Sequence, residues 1–176
     1  MYRVRGFTAV LLIILHVSLL AGCGYLPSSK YAREIVGDKI STQVIISAVD
    51  PQNTVLIKDA VDSAVVTSFR TSLTDRAHST THLIISLTSV VYTPIQYDNN
   101  GYVVGYRTTI TLKIKRVHNG ITKDYNAVGH YDFAIEPNAI ISDQIRFEAI
   151  QNSAAKAISS FVAQVSAQGA RSKKAK

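Results

Sequence analysis

The chain has 176 residues, 47% of them hydrophobic and 18% charged, with 19 Lys and Arg against 12 Asp and Glu for a formal net charge of +7. So apolar a composition excludes a disordered chain, and the length suits one domain with one core. A single cysteine excludes an intrachain disulfide, and the five histidines show no metal-ligand spacing.

The N-terminus carries Arg3 and Arg5, then an apolar run from about Phe7 to Leu20, then Leu20-Ala21-Gly22-Cys23. Charged start, apolar middle and small residues at the cut are the layout of an export signal. The apolar run is too short, at about 15 residues, for the ~20 needed to span hydrocarbon. A cysteine directly after the small residues resembles the bacterial lipobox, which implies cleavage before Cys23 and a diacylglycerol and an N-acyl chain on it. Residues 1–22 are therefore expected to be a cleaved signal peptide, and their loss lowers the net charge from +7 to +5. Residues 23–38, with Gly, Pro, Ser and Lys and little pattern, are expected to be a lipid-anchored tether.

The domain is placed at residues 39–168. Val44 to Val49 reads as a strand stopped by Asp50-Pro51. Asn53 or Thr54 can cap a helix to about Ala77, whose apolar positions Ile57, Val61, Val65, Phe69 and Leu73 recur every four residues and form one stripe. Next, Leu83, Ile85, Leu87, Val91, Ile95 and Tyr97 occupy alternate positions of a strand. Asn99-Asn100-Gly101 turns the chain, because Asn and Gly tolerate positive φ. From Tyr102 to Val117 apolar and polar residues alternate again, and Asn119-Gly120 leads into a return strand from Tyr125 to Ile135. Ser142 or Asp143 caps an Ala-rich helix from Gln144 to about Gln168, and residues 169–176 read as a basic disordered tail.

The second hairpin can be registered from sequence alone. A two-residue turn at Asn119-Gly120 sets Ile114 against Tyr125, Leu112 against Ala127 and Tyr106 against Phe133 on an apolar face. On the other face Lys115 meets Asp124 and Arg107 meets Asp132, pairs contributing roughly 0.2–1 kcal/mol each. A slip by one residue would invert every side chain. The fold class is thus α+β, a two-layer sandwich. Two helices pack on one face of a four-stranded mixed sheet that contains a three-stranded antiparallel meander.

No nucleophile–base cluster, phosphate loop or metal set is present, so the chain is not expected to be an enzyme or to hold a cofactor beyond its acyl chains. His78 and His82 read as a loop pair. The candidate ligand surface is the polar sheet face, with Tyr92, Arg107, Lys113 and Lys115 as candidate contacts and Asn126 and Thr88 flanking Lys113. An exported basic chain meets lipid phosphates rather than nucleic acid.

Several segments together resemble the LptE family of lipopolysaccharide-assembly lipoproteins, in forms similar to those of epsilon-class Gram-negative bacteria. They are Cys23-Gly24-Tyr25, Val55 to Ala60, Gln96 to Tyr102 leading to Tyr106-Arg107, Gly129 to Phe133, and Ile141-Ser142-Asp143. The resemblance implies a two-helix, four-stranded fold and a lipid anchor on the periplasmic side of the outer membrane. It also implies partnership with an LptD-type β-barrel, whose lumen such proteins fill, and contact with lipopolysaccharide in transit. Gly24 stands where an Asp marks inner-membrane retention in enteric bacteria. The alternative is another outer-membrane lipoprotein of similar build, with a cell-wall or transporter-accessory role.

Overall fold

The computed structural model describes Arg33, residues 35–45 and residues 51–174. Cys23, the leader and most of the expected tether lie outside the described residues. The elements are β1 (Lys39–Ile45), α1 (Pro51–Phe69), β2 (Ser72–Leu73), a 3-10 turn (Arg76–His78), β3 (Thr81–Tyr97), β4 (Val103–His118), β5 (Ile121–Ala134) and α2 (Asp143–Lys174). They build one mixed sheet of order β2-β1-β3-β4-β5 with both helices on one side. The sheet has five strands rather than four.

The extra strand and a shorter first helix share one cause. Leu73 continues the four-residue spacing of Ile57, Val61, Val65 and Phe69, but Arg70 adopts a φ of 53° and ends the helix first. The chain then lies along the open edge of β1. Ser72 N–H donates to the carbonyl of Asp38 and Thr74 N–H to that of Ile40. Pairing an otherwise bare edge outweighs one more turn of helix. Ile57, Val61, Val65 and Phe69 are all wholly buried, whereas Leu73 is exposed.

β1 begins at Lys39, earlier than the apolar run suggests, because it pairs parallel with β3 from Ile40↔Thr81 to Ile45↔Ser86. Residues 46–49 lie outside the described residues. The packed domain starts earlier still. Val36 is wholly buried, its carbonyl accepts from the hydroxyls of Thr80 and Thr81, and the half-buried Ile35 accepts from Arg116 Nη1 at 3.0 Å. Residues 35–38 thus belong to the domain rather than to a tether.

The β4–β5 register is the one read from the turn: Ile114↔Tyr125, Leu112↔Ala127, Tyr106↔Phe133, Lys115↔Asp124 and Arg107↔Asp132. Asn119 and Gly120 both take positive φ, 49° and 75°, as a two-residue hairpin turn requires. β3 departs from expectation. Its pairing with β4 shifts between Leu87 and Ser89, leaving Thr88 as an extra residue in a bulge. The parity of β3 inverts there. Val90 then packs against the core and Val91 is 49% exposed, while Ile95 and Tyr97, 44% and 59% exposed, lie at two further register shifts, Pro94/Gln96 and Gln96/Tyr97.

α2 starts at a cap in which Ser142 Oγ accepts from Ile145 N–H. It buries Ile150, Ala154, Ala157, Ile158, Phe161 and Val165 against the sheet and α1. The helix approaches β5 so closely that a Cβ on Gly129 would overlap the backbone of Ser153 and Ala157. It continues past Gln168 to Lys174, so residues 169–174 are helical and not a frayed tail. Tyr125 helps explain the extension: its ring stands edge-on to Phe161 and its hydroxyl donates to Gln168 at 2.8 Å.

Candidate functional site: the helix-free sheet face

Strand alternation turns one set of side chains away from the helices. Arg107, Thr109, Thr111, Lys113 and Lys115 project from β4, with Asp124, Asn126, Val128, His130 and Asp132 from β5. From β3 the same face receives His82, Ile84 and Ser86, then Ser89 and Val91 beyond the bulge. The bulge adds Val91 and subtracts Tyr92.

Tyr92 was expected on this face and is not there. It pairs with the buried Thr108 on the helix side, where its ring stands edge-on to Phe133 at 6.4 Å, and Phe133 stacks on Tyr106 at 5.9 Å. The register shift at Thr88 is the reason. Thr88 itself does not flank Lys113; Ser86 does, with Asn126 on the other side.

Arg107 is on the face but already engaged. Its Nε and Nη2 donate to the two carboxylate oxygens of Asp132, both at 2.7 Å, a bidentate pair. The hydrogen bond and charge of Asp132 raise the Arg107 pKa, and hydrogen bonding to Arg107 holds the Asp132 carboxyl below its ordinary value. Lys113 and Lys115 are different. Both are exposed, and both line a shallow depression of about 350 Å³ with Ile45, Ile84, Ser86 and Asp124. Among the described residues the ion pairs are Arg33–Asp38, Lys58–Asp62 and Arg107–Asp132, so Lys115 and Asp124 face each other without closing one. Two ammonium groups beside two isoleucines form a surface suited to an amphipathic anion. Sequence alone could not supply Ile45 and Ile84, which join the lysines only through the β1–β3–β4 order.

The sequence alone suggests a loop pair of His78 and His82. His78 is exposed in the 3-10 turn, whereas His82 is buried in β3. Its Nδ1 lies 2.8 Å from Ser41 Oγ and its Nε2 3.3 Å from Gln43 Oε1, tying β3 to β1. Burial first, and the charge of Arg76 second, lower its pKa. Among the described residues no three His, Cys, Asp or Glu side chains gather as a metal site. No helix there is long and apolar enough to cross a membrane.

The LptE lipopolysaccharide-assembly family model matches residues 41–165, well over half of the chain. The chain belongs to the LptE family. Membership places it among lipopolysaccharide-assembly lipoproteins of the outer membrane and not among enzymes. No curated protein matches the sequence. Among solved structures, a candidate lipoprotein from Caulobacter crescentus superposes with a TM-score of 0.51 at 8% identity, over 81% of this chain and 98% of that one. At that identity the likeness concerns the fold. The rare lipoprotein B of Shewanella oneidensis gives a TM-score of 0.40 at 12% identity, over 78% of this chain and 94% of that one.

Proposed function

We propose that this LptE-family chain is acylated on Cys23 and held on the periplasmic side of the outer membrane. There it assembles with and plugs an LptD-type β-barrel and assists insertion of lipopolysaccharide into the outer leaflet. The family match over residues 41–165 carries this reading. The depression lined by Lys113 and Lys115 supports a direct lipid contact. Lipopolysaccharide presents phosphates beside acyl chains, and the depression offers cations beside Ile45 and Ile84. Arg107 contributes less, because a phosphate would have to displace the bidentate Asp132 carboxylate. Tyr92 plays no part in this contact, since it lies on the helix side of the sheet.

The reading is tested by mild-detergent purification of the protein from its own membranes, which should recover a large outer-membrane β-barrel in stable complex. Recovery of only cell-wall or inner-membrane partners would refute it. Within the complex, Lys113→Asp should weaken lipopolysaccharide binding roughly tenfold, the effect of about 1.4 kcal/mol, with melting shifted by less than a few degrees. Unchanged binding would return this face to ordinary solvation.

A further inference from the structure

The charges of the domain are sorted by end. At one end meet the entry segment around Arg33, the starts of β1, β3 and β5, the end of β4 and the C-termini of both helices. The contacts fixing this are Arg116 to Ile35, Thr80 N–H to the Lys39 carbonyl, Thr81↔His118, and Tyr125 to Gln168. This end exposes Arg33, Lys39, Arg70, Arg76, Lys123 and Arg171, against Asp38, which pairs with Arg33, Asp75, and Asp124 next to Lys123, among the described residues. The opposite end holds the β3–β4 turn, the β5–α2 connection and the start of α2. There Asp98, Asp132, Glu136, Asp143 and Glu148 outnumber Arg107 and Arg146, and Arg107 is bound to Asp132.

Helix dipoles explain only part of this. A cation near a helix C-terminus is favourable, which suits Arg70 and Arg171. Lys39, Arg76 and Lys123 sit at no α-helix terminus, so the dipoles do not account for them. The chain also enters at the basic end. Ten residues separate Cys23 from Arg33, a separation of at most about 35 Å even when fully extended. α2, at 32 residues, is itself about 48 Å long.

We infer that the basic end is a docking surface for anionic phospholipid headgroups of the leaflet that holds the acylated Cys23. Before the domain enters the barrel, this contact stands it upright on that leaflet, with the acidic β3–β4 turn directed away from the bilayer. This rests on the lipid-anchor reading of Cys23 and adds an orientation to it. Each Lys or Arg held near an anionic surface favours binding about fivefold, so Lys39, Arg76 and Lys123 together are sufficient to decide between upright and random orientation.

The test uses the mature protein, purified in detergent and placed in vesicles of phosphatidylcholine alone or mixed with phosphatidylglycerol. A fluorophore is attached at Thr122→Cys near the basic end or at Asn99→Cys in the far turn, and the vesicles carry a headgroup-located quencher. With phosphatidylglycerol at low salt, the Thr122 position should be quenched at least fivefold more than the Asn99 position. High salt, or Lys39→Glu with Arg76→Glu and Lys123→Glu, should abolish the difference. Equal quenching at both positions, or indifference to phosphatidylglycerol in the unmutated charge background, overturns the inference. Loss of the anchor reads out separately: a protein lacking acyl chains is stripped from phosphatidylcholine vesicles by a salt wash, whatever its orientation. The salt titration of the otherwise unaltered protein keeps the test decisive should the triple variant fold poorly.

Discussion

Gly129 carries more of the architecture than any apolar residue of its size could. Its missing side chain lets α2 rest its Ser153 and Ala157 backbone directly on β5. The clash is with backbone, so no rotamer change can relieve it, and Gly129→Ala should destabilise the fold by about 3 kcal/mol. Chemical denaturation would check this, and a loss below 1 kcal/mol would mean the helix can lift freely. His82 acts at the same scale through its charge state. Buried between Ser41 and Gln43 and close to Arg76, it is held neutral, with its folded pKa below the unfolded value. The unfolded chain therefore takes up the proton first as pH falls. Stability should be full above about pH 6.5 and decline below it toward the folded pKa. His82→Gln should flatten that segment of the stability profile. Equal slopes in the two proteins between about pH 7.5 and about pH 5.5 would show that His82 is uninvolved.

Among the elements, β3 decides which residues can meet a ligand. The bulge at Thr88 is silent in the sequence, since nothing about Leu87-Thr88-Ser89 distinguishes an extra residue from a regular one. The β4–β5 pairing was legible because a two-residue turn, an apolar face and two charge pairs all specify one register. β2 and the true start of β1 were not, because their stability comes from backbone pairing between distant segments and not from local pattern. The candidate site divides the same way. Lys113 and Lys115 follow from alternation along one strand, Tyr92 fails across the bulge, and Ile45 and Ile84 arrive from other strands. The shift has a direct test. Val90→Asp should cost several kcal/mol, since Val90 packs on the core, whereas Val91→Asp should change stability by about 0.5 kcal/mol or less. Uninterrupted alternation would reverse the two results.

At the scale of the whole molecule, two weak membrane attractions and one strong one must be kept apart. As proposed, the basic end offers only salt-sensitive attraction, and the depression on the helix-free face adds just Ile45 and Ile84 beside its two lysines. On the proposed lipid anchor, stable residence comes from acyl chains, each buried CH₂ contributing about 0.8 kcal/mol, whereas a single chain gives only reversible binding. The lipobox resemblance at Leu20-Ala21-Gly22-Cys23 implies several chains on one residue. Intact mass of the purified protein should then correspond to a chain beginning at Cys23 with diacylglycerol and an N-acyl group added. Labelled palmitate should enter the wild type and not Cys23→Ser. A mass that retains residues 1–22, or equal labelling of the two proteins, would remove the anchor. The β-barrel would then have to supply all of the membrane attachment, and the domain's basic end would be the first surface to ask how.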